Sequence, residues 1–276
     1  MKYLGVSRAE MFSPGRVSGD AAVFRAVARA LERRGHDVVC MTERQLVLSG
    51  IPCGLDGIFQ MARCGEALDM LDNAAVPVIN TPQAVRNCSR IGQVSLLGAL
   101  GCIPDSDIRP VTVMPDGWNK FPCWLKRADS HAIEQDDVCY IRDNAELMEA
   151  IRSLAGRGID KYLLQAHAKG WLIKFYGVRG VGLTDCYAAT EGNGKFALER
   201  YNDRPDEASV DMDALAALAE RAAGMLEVDV YGGDAVVGPD GGITLIDFND
   251  WPSFRTCTVG AAQKIADMII RKTHGS

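Results

Sequence analysis

The chain has 276 residues, with 30 Lys and Arg against 36 Asp and Glu for a formal charge of −6. That acidic balance excludes bulk nucleic-acid binding, which needs a basic footprint. With 47% hydrophobic and 24% charged residues, the composition is that of a folded protein of one large or two modest domains, not of a disordered chain. Tyr3 to Ser7 reads as a short buried strand. Arg8 follows too soon for the apolar centre of a secretory signal, so none is expected. Ala21 to Arg34 carries Val23, Val27, Ala30 and Leu31 at helical spacing, and Gly35 ends that helix. His36 to Met41, Asp56 to Met61 and Val76 to Asn80 are further strands, with a helix from Glu66 to Asn73. Strands alternating with helices predict a parallel sheet with helices on its faces.

Thr81-Pro82 supplies an N-cap and first helical turn. Helical spacing then runs from about Arg90 to Leu100. The apolar stretch Ser95 to Ile103 is broken by Gly98 and Gly101 and is far shorter than the roughly 20 residues of a membrane span. Pro104 to Lys120 reads as turns, and a small α+β unit begins near residue 105. Its strands are Pro122 to Lys126 and Val138 to Ile141, and Asn144 is expected to cap a helix to about Ala155. Tyr162 to Ala166, Trp171 to Val178 and Leu183 to Ala189 are strands with connections short enough for antiparallel pairing. A helix from Asp211 to Leu226, a hairpin, and a last helix from Ala261 to Lys272 complete the order. The nine cysteines include no C-x-x-C spacing, which predicts scattered reduced thiols in a cytoplasmic protein.

The hairpin is the most informative segment. Asp234 to Val237 and Ile243 to Phe248 flank the turn Gly-Pro-Asp-Gly-Gly. A turn centred between Asp240 and Gly241, with no bulge, places Asp234 opposite Asp247, and strand alternation puts Asn249 on the face of Asp247. Two carboxylates across one ladder repel, so a cation should sit between them. Hard oxygen ligands without sulfur or imidazole suit Mg²⁺ or Mn²⁺, whose remaining positions are filled by water and substrate phosphates. The alternative is that Asp247 and Asn249 are turn-forming residues leaving a strand.

Two lysines add to this. Lys126 ends the apolar run Cys123-Trp-Leu, and Lys174 lies within Trp171-Leu-Ile-Lys-Phe-Tyr-Gly-Val178. Lysine is almost never fully buried without a partner. A phosphate chain held by the same cation would be one, and an internal salt bridge to Asp or Glu the other.

In these residues the chain resembles the ATP-grasp superfamily, in order along nearly its whole length. It is similar both to carboxylate-amine ligases of the ribosomal-protein glutamate-ligase type and to the inositol-phosphate kinase branch. Val76-Pro-Val-Ile-Asn-Thr-Pro-Gln-Ala84 and Gly101-Cys-Ile-Pro104 look like the junction into the central lid. The resemblance implies an α/β and α+β fold. A parallel pre-ATP-grasp domain would cover residues 1–81 and an ATP-grasp domain residues 82–276, with a lid at about 105–165 and a C-terminal antiparallel-sheet part at about 166–276.

The resemblance also implies roles. Lys126 would be the first nucleotide lysine, Leu163-Leu-Gln165-Ala166-His167 the hinge strand meeting the adenine, and Lys174 a second nucleotide contact. Asp234, Asp247 and Asn249 would hold magnesium, with Pro252 in the turn that follows. Ser130-His131 is similar to a Ser-His pair in the kinase branch, although the loop Arg127 to Asp137 lacks the glycines that many members use to cover phosphates. By their sequence setting alone, His131 is a solvated loop residue and His167 a structural one.

The cofactors implied are ATP and Mg²⁺, with Mn²⁺ possible. The partner is a small anionic acceptor, with no nucleic acid or membrane. The leading expectation is a carboxylate-amine ligase that forms an acylphosphate and then an amide. A kinase acting on a polyol or inositol phosphate is the alternative, and a non-catalytic ATP sensor the second alternative. An anionic acceptor would be held by some of Arg179, Lys195, Arg200, Arg204 and Arg255. Arg255, just beyond the hairpin, and Lys174 are the candidate catalytic residues.

Overall fold

The computed structural model describes residues 1–128, 134–189, 198–202 and 210–274, excepting the side chains of residues 199 and 200. Strand β1 (Lys2–Ser7) runs into helix α1 (Val17–Glu32), followed by β2 (Asp37–Thr42), α2 (Glu43–Ser49), β3 (Gly57–Gln60), α3 (Gly65–Asp72) and the two-residue β4 (Val78–Ile79). These strands form one parallel sheet in the order β2-β1-β3-β4. β1 is a continuous buried run, as a strand covered on both faces should be. Helix α2 is too short for its sequence to show a helical period. Thr42 starts it through a capping box, its hydroxyl accepting from Gln45 N at 3.2 Å while Gln45 Oε1 accepts from Thr42 N at 2.8 Å.

Helices α4 (Pro82–Asn87) and α5 (Arg90–Leu97), capped by Thr81 and Ser89, lead into a second sheet. Its members are β5 (Ser106–Pro110), β6 (Cys123–Arg127), β7 (Val138–Ile141) and, after α6 (Asn144–Gly156), β8 (Lys161–Ala166). The order is β5-β8-β6-β7, antiparallel throughout. Two expectations change here. β5 occupies a stretch that reads as turns, because its pairing to β8 supplies what local propensity does not. Asp143, not Asn144, caps α6, its Oδ1 accepting from Glu146 N at 3.0 Å.

The third sheet holds β9 (Trp171–Val178), β10 (Gly182–Ala188) and, after α7 (Met212–Met225), β11 (Val230–Val237) and β12 (Ile243–Asp250), in the order β10-β9-β11-β12. The last helix, α8 (Thr258–His274), returns to the first sheet and packs on α1 and β3. Its Ala261, Ile265, Met268 and Ile269 share one buried cluster with Tyr3, Phe24 and Phe59. Tyr3 OH and Thr273 Oγ1 lie 2.8 Å apart. Gly57 permits that approach, since a Cβ there would meet Thr273 Cγ2 at 2.5 Å. No helix of the described residues is long and apolar enough to cross a membrane, and none of the nine cysteines is disulfide-bonded.

A buried amide joins the first and third sheets. Asn80 Oδ1 accepts from Asp229 N at 2.9 Å and Val230 N at 2.8 Å, and its Nδ2 donates to Val230 O at 2.9 Å. Asn80→Ala orphans two buried backbone donors and should lower stability by about 2–4 kcal/mol. Urea unfolding checks this; a loss below about 0.5 kcal/mol, the range of an ordinary surface substitution, would show that water replaces the amide.

The first sheet opens on a cavity lined by Ser7, Arg8, Thr42 and Met61. At its carboxyl edge, where strand order reverses and open parallel sheets bind ligands, Glu43 already accepts from Ala9 N, Arg63 N and Cys64 N at 2.5, 2.9 and 2.7 Å.

Candidate active site

One row of residues crosses the third sheet in register: Tyr187 on β10, Lys174 on β9, Asp234 on β11 and Asp247 on β12. The expected Asp234–Asp247 pair forms, but by a different route from the one the turn predicts. Val237, Val236 and Ala235 pair with Ile243, Thr244 and Leu245, so the turn is centred on Asp240. Ile246 then bulges, which restores Asp234 opposite Asp247. Asn249 shares the face of Asp247 and donates from Nδ2 to its Oδ2 at 3.0 Å.

The second sheet faces this row across a cleft. Alternation on β6 sends Cys123 and Leu125 into the core under α6 and leaves Trp124 and Lys126 on the cleft side. Lys126 Nζ donates to Gln165 Oε1 at 2.7 Å and to the carbonyl of the bulged Ile246 at 3.3 Å. Both acceptors are neutral. Burial first, and then the neighbouring Arg90 charge, bring the Lys126 ammonium down to about 8, against the pull of Asp247 and Asp234. Lys174 behaves oppositely. Burial would lower it, but ion-pair contacts to Asp234 Oδ1 and Oδ2 at 2.8 and 3.1 Å hold its pKa above the ordinary lysine value. The salt bridge read as an alternative for a buried lysine is therefore present at Lys174, and it is made to a residue of the acidic row.

The cleft has a volume of about 250 Å³. Trp124 and Val138 line it from one sheet, Leu172 and Val236 from the other. Gln165, Ala166 and His167 all line it as well. The N–H groups of Ala166 and His167 are already bonded to Asp105 O and Pro122 O, at 2.8 and 3.3 Å. His167 Nδ1 accepts from Trp124 Nε1 at 3.1 Å, and its ring meets Tyr140 edge-on. Ser130, His131, Lys195, Arg204 and the Arg200 side chain lie outside the described residues.

A second chamber of about 290 Å³ lies beyond the acidic row, between residues 8–20 and the end of β12. Arg16, Arg90, Lys174, Asp234 and Asp247 line both cavities and so form their common wall. Arg255 lines the second chamber, the stem of its side chain near Gly19 of α1. Arg179 lies elsewhere, paired with Asp229 at 3.1 Å. Nothing local in the sequence marks Arg8, Arg16, Arg63 and Arg90, which also line the second chamber. Arg8 and Arg63 do follow the carboxyl ends of β1 and β3, the edge where such sheets carry ligands, and that is the signal that could have found them.

Asp234, Asp247 and the amide oxygen of Asn249 offer only hard donors on two adjacent strands of the third sheet, a set that fits Mg²⁺. Among the described residues no three His, Cys, Asp or Glu side chains converge on a metal position. An ion here would take its remaining ligands from water and phosphate.

The chain matches no protein-family profile and no curated protein sequence. Solved structures do resemble it along its whole length. D-alanine–D-alanine ligase from Bacillus anthracis, complexed with ATP, aligns over 100% of this chain and 98% of its own at 14% identity and TM-score 0.73. A RimK domain protein ATP-grasp from Sphaerobacter thermophilus DSM 20745 aligns over 97% and 99% at 17% identity and TM-score 0.69. The ATP-grasp ligase PsnB, complexed with a minimal precursor, aligns over 98% and 98% at 16% identity and TM-score 0.66. The chain has the ATP-grasp fold.

Proposed function

We infer that this protein is a Mg-ATP-dependent carboxylate-amine ligase, in which the cleft between the second and third sheets takes the nucleotide and the arginine-lined chamber takes the acceptor. One observation carries the reading: the row Lys174–Asp234–Asp247 is the wall shared by the two cavities. A terminal phosphoryl group at that wall lies within reach of whatever the chamber holds. Two of the similar structures described above, the D-alanine–D-alanine ligase and PsnB, are ligases by name, which favours a carboxylate acceptor over a hydroxyl.

Lys126 would meet the phosphates from the second sheet and Lys174 from the third, while Asp234, Asp247 and Asn249 would hold Mg²⁺. The bound ion would neutralise charge on the β- and γ-phosphate oxygens. Arginines of the chamber, Arg255 among them, would orient the acceptor carboxylate. A carboxylate oxygen forms a bond to the γ-phosphorus as the bond to the bridging oxygen breaks and ADP leaves with the electron pair. An amine then adds to the acylphosphate carbonyl, orthophosphate leaves, and the amine loses a proton to solvent. Such transfer needs positioning and charge neutralisation more than covalent help from the protein.

Lys126 must be cationic to hold phosphate, and in the free protein its pKa is about 8. Below that pH the cation is present and nucleotide affinity should be flat. Above it, binding must take up a proton, and affinity should weaken toward about tenfold per pH unit. Calorimetry from roughly pH 6.5 to 9.5, in buffers of different ionisation enthalpy, checks this. An affinity independent of pH with no proton uptake would remove Lys126 from the phosphate site.

Phosphorus NMR with Mg-ATP tests the reaction, using one pool of carboxylates with amines and one of polyols and inositol phosphates. Orthophosphate formed only when carboxylate and amine are both present supports the ligase. A new phosphate-ester resonance would replace it with a kinase, and binding without turnover in either pool with a sensor.

A further inference from the structure

Four charged side chains meet at the far wall of the second chamber, and they come from three separate parts of the chain. Arg8 Nη1 pairs with Asp20 at 3.1 Å, Arg8 Nη2 lies 3.9 Å from Asp250, and Arg63 Nη2 pairs with Asp250 at 2.5 Å. The Asp250 side chain is 0% exposed, those of Arg8 and Arg63 9% and 12%. All four line the chamber. Buried ion pairs gain little stability over a well-packed apolar contact, so this group calls for another explanation.

The two arginines are used differently. Arg8 is a tie: its Nε donates to Met61 O at 3.1 Å, Nη1 to Asp20 and Nη2 to Trp251 O at 3.3 Å. Arg63 is held at both ends by carboxylates, its backbone N–H by Glu43 Oε2 at 2.9 Å and its guanidinium by Asp250. A guanidinium fixed in this way beside a cavity loses little side-chain freedom when it binds a planar carboxylate.

Position decides which carboxylate that is. Phosphoryl transfer would take place at the row containing Asp247, and Asp250 lies three residues further along β12, about 10 Å at strand rise. One carboxylate cannot serve both places. We propose that the chamber takes an acceptor bearing two carboxylates, one reacting at the Lys174–Asp234–Asp247 row and the other gripped by Arg63, which Asp250 positions. The reacting half of this statement rests on the ligase reading; the grip by Arg63 does not.

The test is calorimetry of the Mg-ADP-bound protein with glutarate, adipate and pimelate, and with butyrate as the one-carboxylate control. Wild type should bind at least one dicarboxylate at least tenfold more tightly than butyrate. Arg63→Gln should abolish that advantage, and Arg63→Lys should fail to restore it because an ammonium lacks the planar fork. Asp250→Asn should lose as much, and the Arg63→Gln/Asp250→Asn double variant no more than either single change, since both remove one interaction. The double variant also leaves no arginine at position 63 to be stranded if Asp250→Asn alone folds poorly. Mg-ADP affinity should stay within twofold in every variant. Equal affinity of wild type for butyrate and all three dicarboxylates, or an advantage that survives Arg63→Gln, overturns the proposal. A dicarboxylate advantage that depends on Arg63, in a protein that turns over neither acceptor pool, would keep the grip and discard the ligase reading.

Discussion

Asp247→Asn should lower Mg²⁺-dependent turnover by about a thousandfold or more, the loss of about 4 kcal/mol of transition-state stabilisation. The fold should be untouched. Asp247 stands in register with Asp234, and its Oδ2 already accepts from Asn249 Nδ2. An asparagine keeps the volume and can still present an oxygen to Asn249, so the contact within β12 can outlast the charge. Relief of the repulsion from Asp234, roughly 0.2–1 kcal/mol, is offset by the lost attraction to Lys126 and Lys174, so the urea midpoint should stay close to that of the wild type. Activity and stability moving apart is the signature of a metal ligand. A variant with unchanged turnover would place the metal elsewhere; one that loses activity only by unfolding would make Asp247 a structural residue.

Lys126→Met should weaken Mg-ATP binding by about a hundredfold, near 2.7 kcal/mol. The effect on the free protein should have the opposite sign. Lys126 keeps its ammonium among Gln165 Oε1 and Ile246 O, neutral acceptors both, at a pKa reduced to about 8 by burial and Arg90. A thioether of similar length escapes that desolvation penalty. Thermal unfolding without nucleotide should therefore start at or above the wild-type temperature, while the upward shift on adding Mg-ATP largely disappears. A loss of stability without nucleotide, with affinity unchanged, would make Lys126 an ordinary structural lysine.

Much of this was legible in the chain, for physical reasons that differ from place to place. The parallel unit announces itself through β1 and α1, whose continuous and period-3.6 apolar patterns are local signals. The acidic row was legible because a hairpin is the shortest long-range contact a chain can make. Even so, its register depended on the bulge at Ile246, which nothing in Ile243-Thr-Leu-Ile246 marks. That bulge also turns the Ile246 carbonyl to Lys126, linking two sheets whose strands lie 120 residues apart. Strand β5 was invisible because its stability comes from β8. The arginines of the second chamber were invisible for a related reason: Arg8, Arg16, Arg63 and Arg90 are scattered singly and become a group only when the first sheet meets the end of β12. Local pattern thus found the acidic row and the two buried lysines, whereas the arginine-lined wall is a property of tertiary contact alone.

The return of α8 to the first sheet sets an order of events during synthesis. Chains emerge from the ribosome N-terminus first, and domains generally fold as units in that order. Here the first sheet and α1 emerge with an apolar surface that Ala261, Ile265, Met268 and Ile269 must cover. The earliest-made unit is therefore the last to be finished, while Arg8 and Arg63 meet their latest partners, Asp250 and Trp251, just before the last helix begins. Until then, that uncovered surface is a natural target for chaperones, in a chain that already holds every residue lining the second chamber, the last of them Arg255.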